Sequence, residues 1–330
     1  MTLLSDLDAM QLAIAAAEEV RLLTPPNPWV GAVLITTSGE RFVGATEQPG
    51  GRHGEIVALD AAGDLAQGAT LYVTLEPCCH TGRTGPCTER IISSGVSRVV
   101  IGVTDPDSKV HGGGVAALLE AGLEVETGIS AQEISQQLSS YLHHRLTGRP
   151  EVILKLAATL DGRTAAPDGT SKWITSAEAR QDAHRLRSEA QAIIVGAGTV
   201  RADDPQLTVR LEGFEGPQPR RIVLGEIPKG SQIEPAESFS GSLESLLQNL
   251  GDEGVLSVLV EGGAAVAHAF HDQNLVDRYV VYVAPAIMGG DDGRSLFAGP
   301  GAPTLASLWR GKFVSAVRVG EDLRVEVVRK

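Results

Sequence analysis

The chain has 330 residues, 42% of them hydrophobic and 21% charged, a balance that excludes a disordered polypeptide and, at about 150 residues per domain, points to two cores. Its net charge of −13 repels a phosphate backbone, and no cluster of Lys and Arg interleaved with aromatics offsets this, so nucleic acid is not an expected substrate. Asp6, Asp8, Glu18 and Glu19 stand where a signal peptide needs an early basic region, and the longest apolar stretch, residues 279–288, contains Pro285. It reaches only about half of the roughly 20 residues that span a bilayer, so the expectation is a cytoplasmic protein with no membrane partner.

In chain order, strands are predicted at residues 30–35, 42–45, 70–74, 98–103 and 123–127. Helices are predicted at 7–22, 55–62, 88–94 and 114–121, the last closed by Gly122. This alternation predicts an α/β layer with a largely covered sheet. His143-His144-Arg145, Gly148 and Pro150 then interrupt the pattern, and a boundary near 148 divides the chain into 1–147 and 148–330. A β-type run starts at Val152, followed by predicted strands at 192–195, 221–224, 257–260, 278–283, 313–319 and 323–328 and helices at 177–189 and 264–273. Residues 212–242, rich in Gly, Pro and Ser, read as connecting structure around one strand, and His268 and His271 fall on a helix surface.

Three cysteines, all between positions 78 and 87, are unsuited to a disulfide framework. His53-Gly54-Glu55 opens a predicted helix, Glu76-Pro77-Cys78 follows a predicted strand, and Cys87 stands after a proline at another helix start. One His and two Cys form a zinc set that leaves the fourth tetrahedral position open, and helix N-termini favour the thiolates. Glu55, two residues after His53, is the candidate proton shuttle, because His-x-Glu followed by Pro-Cys is the pattern of zinc deaminases. The second cysteine comes nine positions after the first rather than three, which separates the chain from ordinary cytidine deaminases. Competing readings are a closed site with Cys79 as fourth ligand, or three core thiols without metal. Neither accounts for Glu55.

In the second half, Glu261-Gly262-Gly263-Ala264 separates an apolar strand from a helix, a junction where backbone N–H groups can meet a pyrophosphate. Val195-Gly196-Ala197-Gly198-Thr199 also follows a strand but lacks the third glycine of a dinucleotide fingerprint and alone reads as a tight turn.

Several motifs together carry a resemblance. Pro26-Asn27-Pro28-Trp29-Val30-Gly31-Ala32-Val33, His53-Gly54-Glu55 and the run from Glu76-Pro77-Cys78-Cys79-His80 to Pro86-Cys87 resemble the deaminase half of the bifunctional deaminase/reductases of riboflavin biosynthesis. Lys155 to Thr164, Ser171-Lys172-Trp173, His184 to Arg187, Asp203 to Arg210 and Glu261-Gly262-Gly263 resemble the reductase half. The resemblance implies an α/β architecture: an N-terminal cytidine-deaminase-like three-layer α/β/α domain followed by a dihydrofolate-reductase-like α/β domain. It implies one Zn2+ per chain and removal of the 2-amino group of a diaminohydroxy-phosphoribosylamino-pyrimidine, with Asn27 and His80 lining the base pocket and Arg83 and Asp105 near the sugar phosphate.

The resemblance further implies that NADPH delivers hydride to C1′ of the opened ribose. Ala157, Thr159, Trp173, Gly198, Thr199, Asp203, Gly262 and Gly263 match cofactor positions, and Ser171, Arg187, Leu207, Arg210 and Glu261 match substrate positions. Lys155, on a predicted strand, is added as a substrate-orienting residue. The resemblance also implies small-molecule partners alone and a homo-oligomer. The chain departs from the family at Gly54, where alanine is usual, and at Asp107, where asparagine is usual. Two other classes compete: a metal-containing regulatory protein with one half inactive, favoured by Asp107, and a nucleic-acid editing deaminase, opposed by the acidic balance.

The ligand assignment predicts one zinc per chain. Elemental analysis of single variants checks it: Cys78→Ser loses the metal and Cys79→Ser keeps it, and the reverse result transfers the ligand role to Cys79.

Overall fold

The computed structural model describes residues 4–80 and 85–330 and divides into two compact units, Met1–Gly148 and Arg149–Lys330. In the first unit, β1 (Gly31–Ile35), β2 (Arg41–Ala45), β3 (Thr70–Leu75), β4 (Arg98–Val103) and β5 (Glu124–Thr127) form a sheet in the order β2-β1-β3-β4-β5. The β2-β1 and β1-β3 pairs are antiparallel; β3, β4 and β5 run parallel. Helices α1 (Asp6–Val20), α2 (Gly54–Ala62), α3 (Cys87–Ser93), α4 (Gly113–Glu120), α5 (Ala131–Gln137) and α6 (Ser139–Thr147) accompany it.

Two glycines set how closely the helices approach. A methyl on Gly31 would lie 1.8 Å from the Ala13 carbonyl of α1, and one on Gly44 would lie 2.2 Å from the Gly54 carbonyl of α2. Gly44 pairs with Ala32, the neighbour of Gly31, so these two contacts lie on opposite faces of the sheet. Helices therefore cover both sides, giving three layers. Ser5 caps α1 by accepting the Asp8 N–H, and Asp6 and Asp8 in the first turn complement the helix dipole.

The second unit contains β6 (Glu151–Thr159), β7 (Arg163–Ala165), α7 (Ala177–Glu189), β8 (Ala192–Gly196), α8 (Ala197–Asp203), β9 (Arg220–Leu224), β10 (Glu237–Phe239) and α9 (Leu243–Asp252). It continues with β11 (Ser257–Val260), α10 (Ala264–Asp272), β12 (Arg278–Ala284), β13 (Arg294–Ser295), β14 (Gly311–Val319) and β15 (Asp322–Arg329). Eight strands form one sheet in the order β10-β9-β8-β11-β6-β12-β15-β14, parallel as far as β12 and antiparallel beyond it. One face packs Leu246, Leu247 and Leu250 of α9 and Phe270 of α10; the other packs Ala179 and Leu186 of α7 and Val200 of α8. The carboxyl ends of β8, β11 and β6 are thereby neighbours, the edge at which open α/β sheets bind ligands.

Several expectations need correction. Helices α5 and α6 fill the segment before residue 148, which reads in sequence only as an interruption. Residues 212–242 hold two strands, β9 and β10, rather than one. Residues 197–203 form the short helix α8 instead of a tight turn. His271 is half-buried: its Nδ1 lies 2.7 Å from the Tyr279 hydroxyl, with Phe297 and Trp309 beside its ring.

An ion-pair cluster ties α1 to the sheet. Arg98 donates to both oxygens of Asp6, at 2.9 and 2.8 Å, and the Tyr72 hydroxyl donates to Asp6 at 2.6 Å. Arg98 first, then Tyr72, holds the Asp6 carboxyl down at about 2 against an ordinary 3.8. A lowered carboxyl gives stability that is present above its unfolded value and lost as pH falls through the folded one. Asp6→Asn should therefore lower the Tm at neutral pH by roughly 2 °C, as befits a partly exposed pair. The gap between native and variant chains should close as pH falls from 4 towards 2, and a gap that stays constant in thermal melts contradicts the pairing.

Candidate active sites

The first site assembles where β3 meets the starts of α2 and α3. His53 is the N-cap of α2 in extended backbone, Cys87 is the first residue of α3, and Cys78 follows Leu75, Glu76 and Pro77 out of β3. The His53 Nδ1 is 3.1 Å from the Cys87 Sγ and 3.7 Å from the Cys78 Sγ, and the three ligand atoms lie within 4.8 Å of one another. Tetrahedral bonds of about 2.0 Å to nitrogen and 2.3 Å to sulfur separate N and S by roughly 3.5 Å, so this donor set fits zinc. The Cys87 thiol and its backbone N–H both act on the Cys78 sulfur, and with His53 they hold its thiol low, at about 4; Cys87 is correspondingly raised, by Cys78 first and by burial. A dication held here would stabilise both sulfurs as thiolates, the remaining thiol proton going to solvent. Cys79 points elsewhere, its Sγ 3.7 and 3.9 Å from the carbonyls of Lys109 and Val110.

Glu55, in the first turn of α2, is 3% exposed, and its Oε2 has no hydrogen-bond partner. Burial pushes its carboxyl up, against a lowering pull from His53. A cavity of about 400 Å³ opens over the cluster and is lined by Asn27, His80 and Asp105 as well as His53, Glu55 and Cys78. The His80 Nδ1 is buried and has no hydrogen-bond partner among the described residues. Asp105 is buried, accepts from Tyr141 at 3.0 Å and from the Asp107 N–H at 2.9 Å, and is raised chiefly by burial. Arg83 lies outside the described residues.

Sequence reading misses Glu76, Lys109, Tyr141 and Arg145, which also line this cavity. Asp107 lines it too, with its carboxylate 3.5 Å from the Arg145 guanidinium, which lies over the Tyr141 ring. The acid at the departing position thus has a cationic partner.

In the second unit, the expected residues gather at the ends of three adjacent strands. Lys155 and Ala157 project from the α7 face of β6, Gly198, Thr199 and Asp203 lie on α8 after β8, and Glu261, Gly262 and Gly263 follow β11. Arg187 of α7 donates to both Glu261 oxygens, at 2.5 and 3.0 Å. Burial raises the Glu261 carboxyl, but Arg187 and Lys155 outweigh this and leave it lowered. Lys155 is half-buried, and its ammonium is pushed down by desolvation, partly offset by Glu261. The His184 Nδ1 accepts the Arg210 N–H at 3.2 Å, and the Arg210 guanidinium, exposed at the surface, donates to Gln206 and Thr208.

Several sequence assignments change here. The Arg187 fork, matched in sequence to a substrate position, is occupied by Glu261, which makes Arg187 the anchor of that carboxylate. Leu207 buries its side chain in the α7-side core at a φ of 51°, leaving only its backbone for a ligand. The Thr159 hydroxyl donates to Asp161 at 2.6 Å and accepts from the Arg163 N–H at 2.9 Å, so it shapes a turn. Thr199 accepts the Gly263 N–H at 3.0 Å, which occupies one of the amides offered to a pyrophosphate. Gly262 is required by packing, since a methyl there would meet the Val266 side chain at 2.5 Å. Ser171 is half-buried, and Trp173 is 71% exposed beneath the Arg180 guanidinium.

Comparison with known proteins agrees with both units. The family model "Cytidine and deoxycytidylate deaminase zinc-binding region" matches residues 4–103, and "RibD C-terminal domain" matches residues 150–325. The riboflavin biosynthesis protein RibD of Mycobacterium tuberculosis strain H37Rv is 42% identical over 98% of this chain and 97% of its own; that of Escherichia coli K12 is 36% identical over 97% and 98%. Among solved structures, an Acinetobacter baumannii RibD superposes with a TM-score of 0.90 at 36% identity, covering 98% of this chain and 99% of its own. A diaminohydroxyphosphoribosylaminopyrimidine deaminase/5-amino-6-(5-phosphoribosylamino)uracil reductase from Thermotoga maritima superposes with a TM-score of 0.86 at 34% identity and the same coverages.

Proposed function

The chain belongs to the RibD family of bifunctional riboflavin-biosynthesis enzymes, a zinc-dependent deaminase joined to an NADPH-dependent reductase, and on that premise we propose which of its own residues perform the two reactions. The first unit hydrolyses the 2-amino group of 2,5-diamino-6-(5-phosphoribosylamino)pyrimidin-4(3H)-one, and the second reduces the ribosyl side chain of 5-amino-6-(5-phosphoribosylamino)uracil to the ribityl form. The observation that carries this reading is the His53, Cys78 and Cys87 cluster with the buried Glu55 beside it, whose Oε2 has no hydrogen-bond partner among the described residues.

His53, Cys78 and Cys87 hold the zinc, which when bound activates water near neutral pH. Glu55 would carry the proton, taking one from the attacking water and passing one to the departing amine, and burial, which raises its carboxyl, favours the protonated form it holds between the two transfers. His80 and Asn27 line the cavity with polar atoms that orient the pyrimidine, and Asp105, fixed by Tyr141, meets the sugar side.

In the reductase, NADPH supplies the hydride equivalent, held along Ala157, Trp173, the α8 residues Gly198, Thr199 and Asp203, and Gly262 with Gly263. Glu261, clamped by Arg187, accepts from ribose hydroxyls, while Lys155 orients the reacting end and Ser171 lines the substrate. Arg210, whose exposed guanidinium donates to the neutral side chains of Gln206 and Thr208, is the phosphate donor. Phe313, Val314 and Val317, exposed on edge strand β14, supply apolar surface for the expected homo-oligomer. Among the described residues no helix is long and apolar enough to cross a membrane.

Glu55→Ala should reduce deamination by at least ~10²-fold at unchanged zinc content, the scale of a positioned acid–base group. The same variant should still oxidise NADPH when given the deaminated pyrimidine; loss of both activities in a folded chain contradicts two separate sites. Arg210→Ala should raise the reductase KM for its phosphorylated substrate while deamination is unaffected, and an unchanged kcat/KM removes Arg210 from the phosphate site.

A further inference from the structure

Glu76 precedes the Pro77-Cys78 ligand segment and is 4% exposed, a cost that a buried carboxylate must offset with partners. Its partners are three backbone amides. Oε2 accepts from Asp105 at 3.2 Å and from Gly112 at 3.1 Å, and Oε1 accepts from Val115 at 3.0 Å. All three amides belong to the 105–115 segment, which joins β4 to α4 and carries Asp105, Asp107, Lys109 and Val110 to the wall of the deaminase cavity.

The arrangement answers a local deficit. The N-cap of α4 is Gly112, which has no side chain to satisfy the orphan amides of the first turn. Glu76 supplies the missing acceptor from another part of the chain, and a negative charge at a helix N-terminus is favourable. The fit is tight, since a methyl on Gly114 would lie 2.2 Å from the Pro77 carbonyl and one on Gly113 would lie 2.8 Å from the Cys79 Sγ. Cys79 thus packs against this loop on the side away from the zinc cluster.

We propose that Glu76 is a positioning residue of the deaminase, its carboxylate locking the substrate-facing 105–115 loop to the chain segment that carries the zinc ligand Cys78. The inference rests on the deaminase reading of this cavity. Glu76 does not touch the reacting atoms; it fixes the distance between the metal segment and the wall that receives the sugar side of the pyrimidine.

Glu76→Gln tests it, because one carboxylate oxygen becomes an NH₂ that faces backbone donors instead of accepting from them. Zinc content and NADPH oxidation with the deaminated substrate should match the native chain, while the deaminase KM should rise at least ~10-fold with kcat changed less than ~3-fold. An unchanged KM, or a fall confined to kcat, overturns the proposal. Amide hydrogen exchange on the native chain gives a reading that does not depend on the variant folding: the Gly112 and Asp105 amides should be protected, and exchange of Gly112 at the rate of an open loop overturns the proposal. A native chain that binds zinc but does not deaminate defeats the functional reading and the inference together, whereas normal native deamination with an unchanged variant KM defeats the inference alone.

Discussion

The contact on which the first site depends is the backbone N–H of Cys87 donating to the Cys78 sulfur at 3.3 Å. It joins the start of α3 to the exit of β3, and it does so at a helix N-terminus, where amides have no partner within the helix and the dipole favours negative sulfur. His53 reaches the same point as the N-cap of α2. Two helix starts and a strand end therefore converge, held at that distance by the close seat of α2 on β2 that Gly44 permits. Remove the space at Gly44 and α2 must lift, carrying His53 and Glu55 away from the two sulfurs.

The second unit solves its placement problem with a parallel sheet. Strands β8, β11 and β6 are neighbours and end on the same side, so residues distant in sequence, Lys155, Arg187 and Glu261 among them, become one cluster without any special loop. Chemistry at the carboxyl ends of parallel strands follows from topology. In the first unit the carboxyl end of central strand β3, which delivers Cys78, is joined by two helix starts, His53 at α2 and Cys87 at α3, each inside a short sequence motif.

Legibility in the sequence tracked these two modes. His53, Glu55 and Cys87 lie at predicted helix starts and Cys78 just after a predicted strand, all in compact motifs, and the structure brings the His53, Cys78 and Cys87 donor atoms together beside Glu55. The helix α6 residues Tyr141 and Arg145 were less visible. Ile134, Leu138 and Tyr141 are buried at helical spacing, but α5 and α6 meet at Leu138, and the polar His143-His144-Arg145 and Gly148 that follow look like a linker. Likewise the leucines of α9 recur at i, i+3, i+4 and i+7, a signal obscured by the Gly- and Pro-rich residues before it. Side-chain pairing is harder still: nothing in the spacing of Arg187 and Glu261 says that they bind each other rather than a ligand.

Three buried carboxylates show why pairing, more than identity, separates roles. Glu261 has its charge balanced by a bidentate Arg187 and is held low, so it stays an acceptor. Glu76 spends its acceptors on three amides of one loop, which fixes structure and leaves little for chemistry. Glu55 alone keeps an unpartnered oxygen in a cavity with a carboxyl raised by burial. An oxygen without a partner costs folding free energy, and the fold retains it beside the His53, Cys78 and Cys87 cluster, the kind of place where perturbed carboxyls gather. The same residue type thus meets three different environments, set by how many donors the surrounding backbone and side chains direct at it.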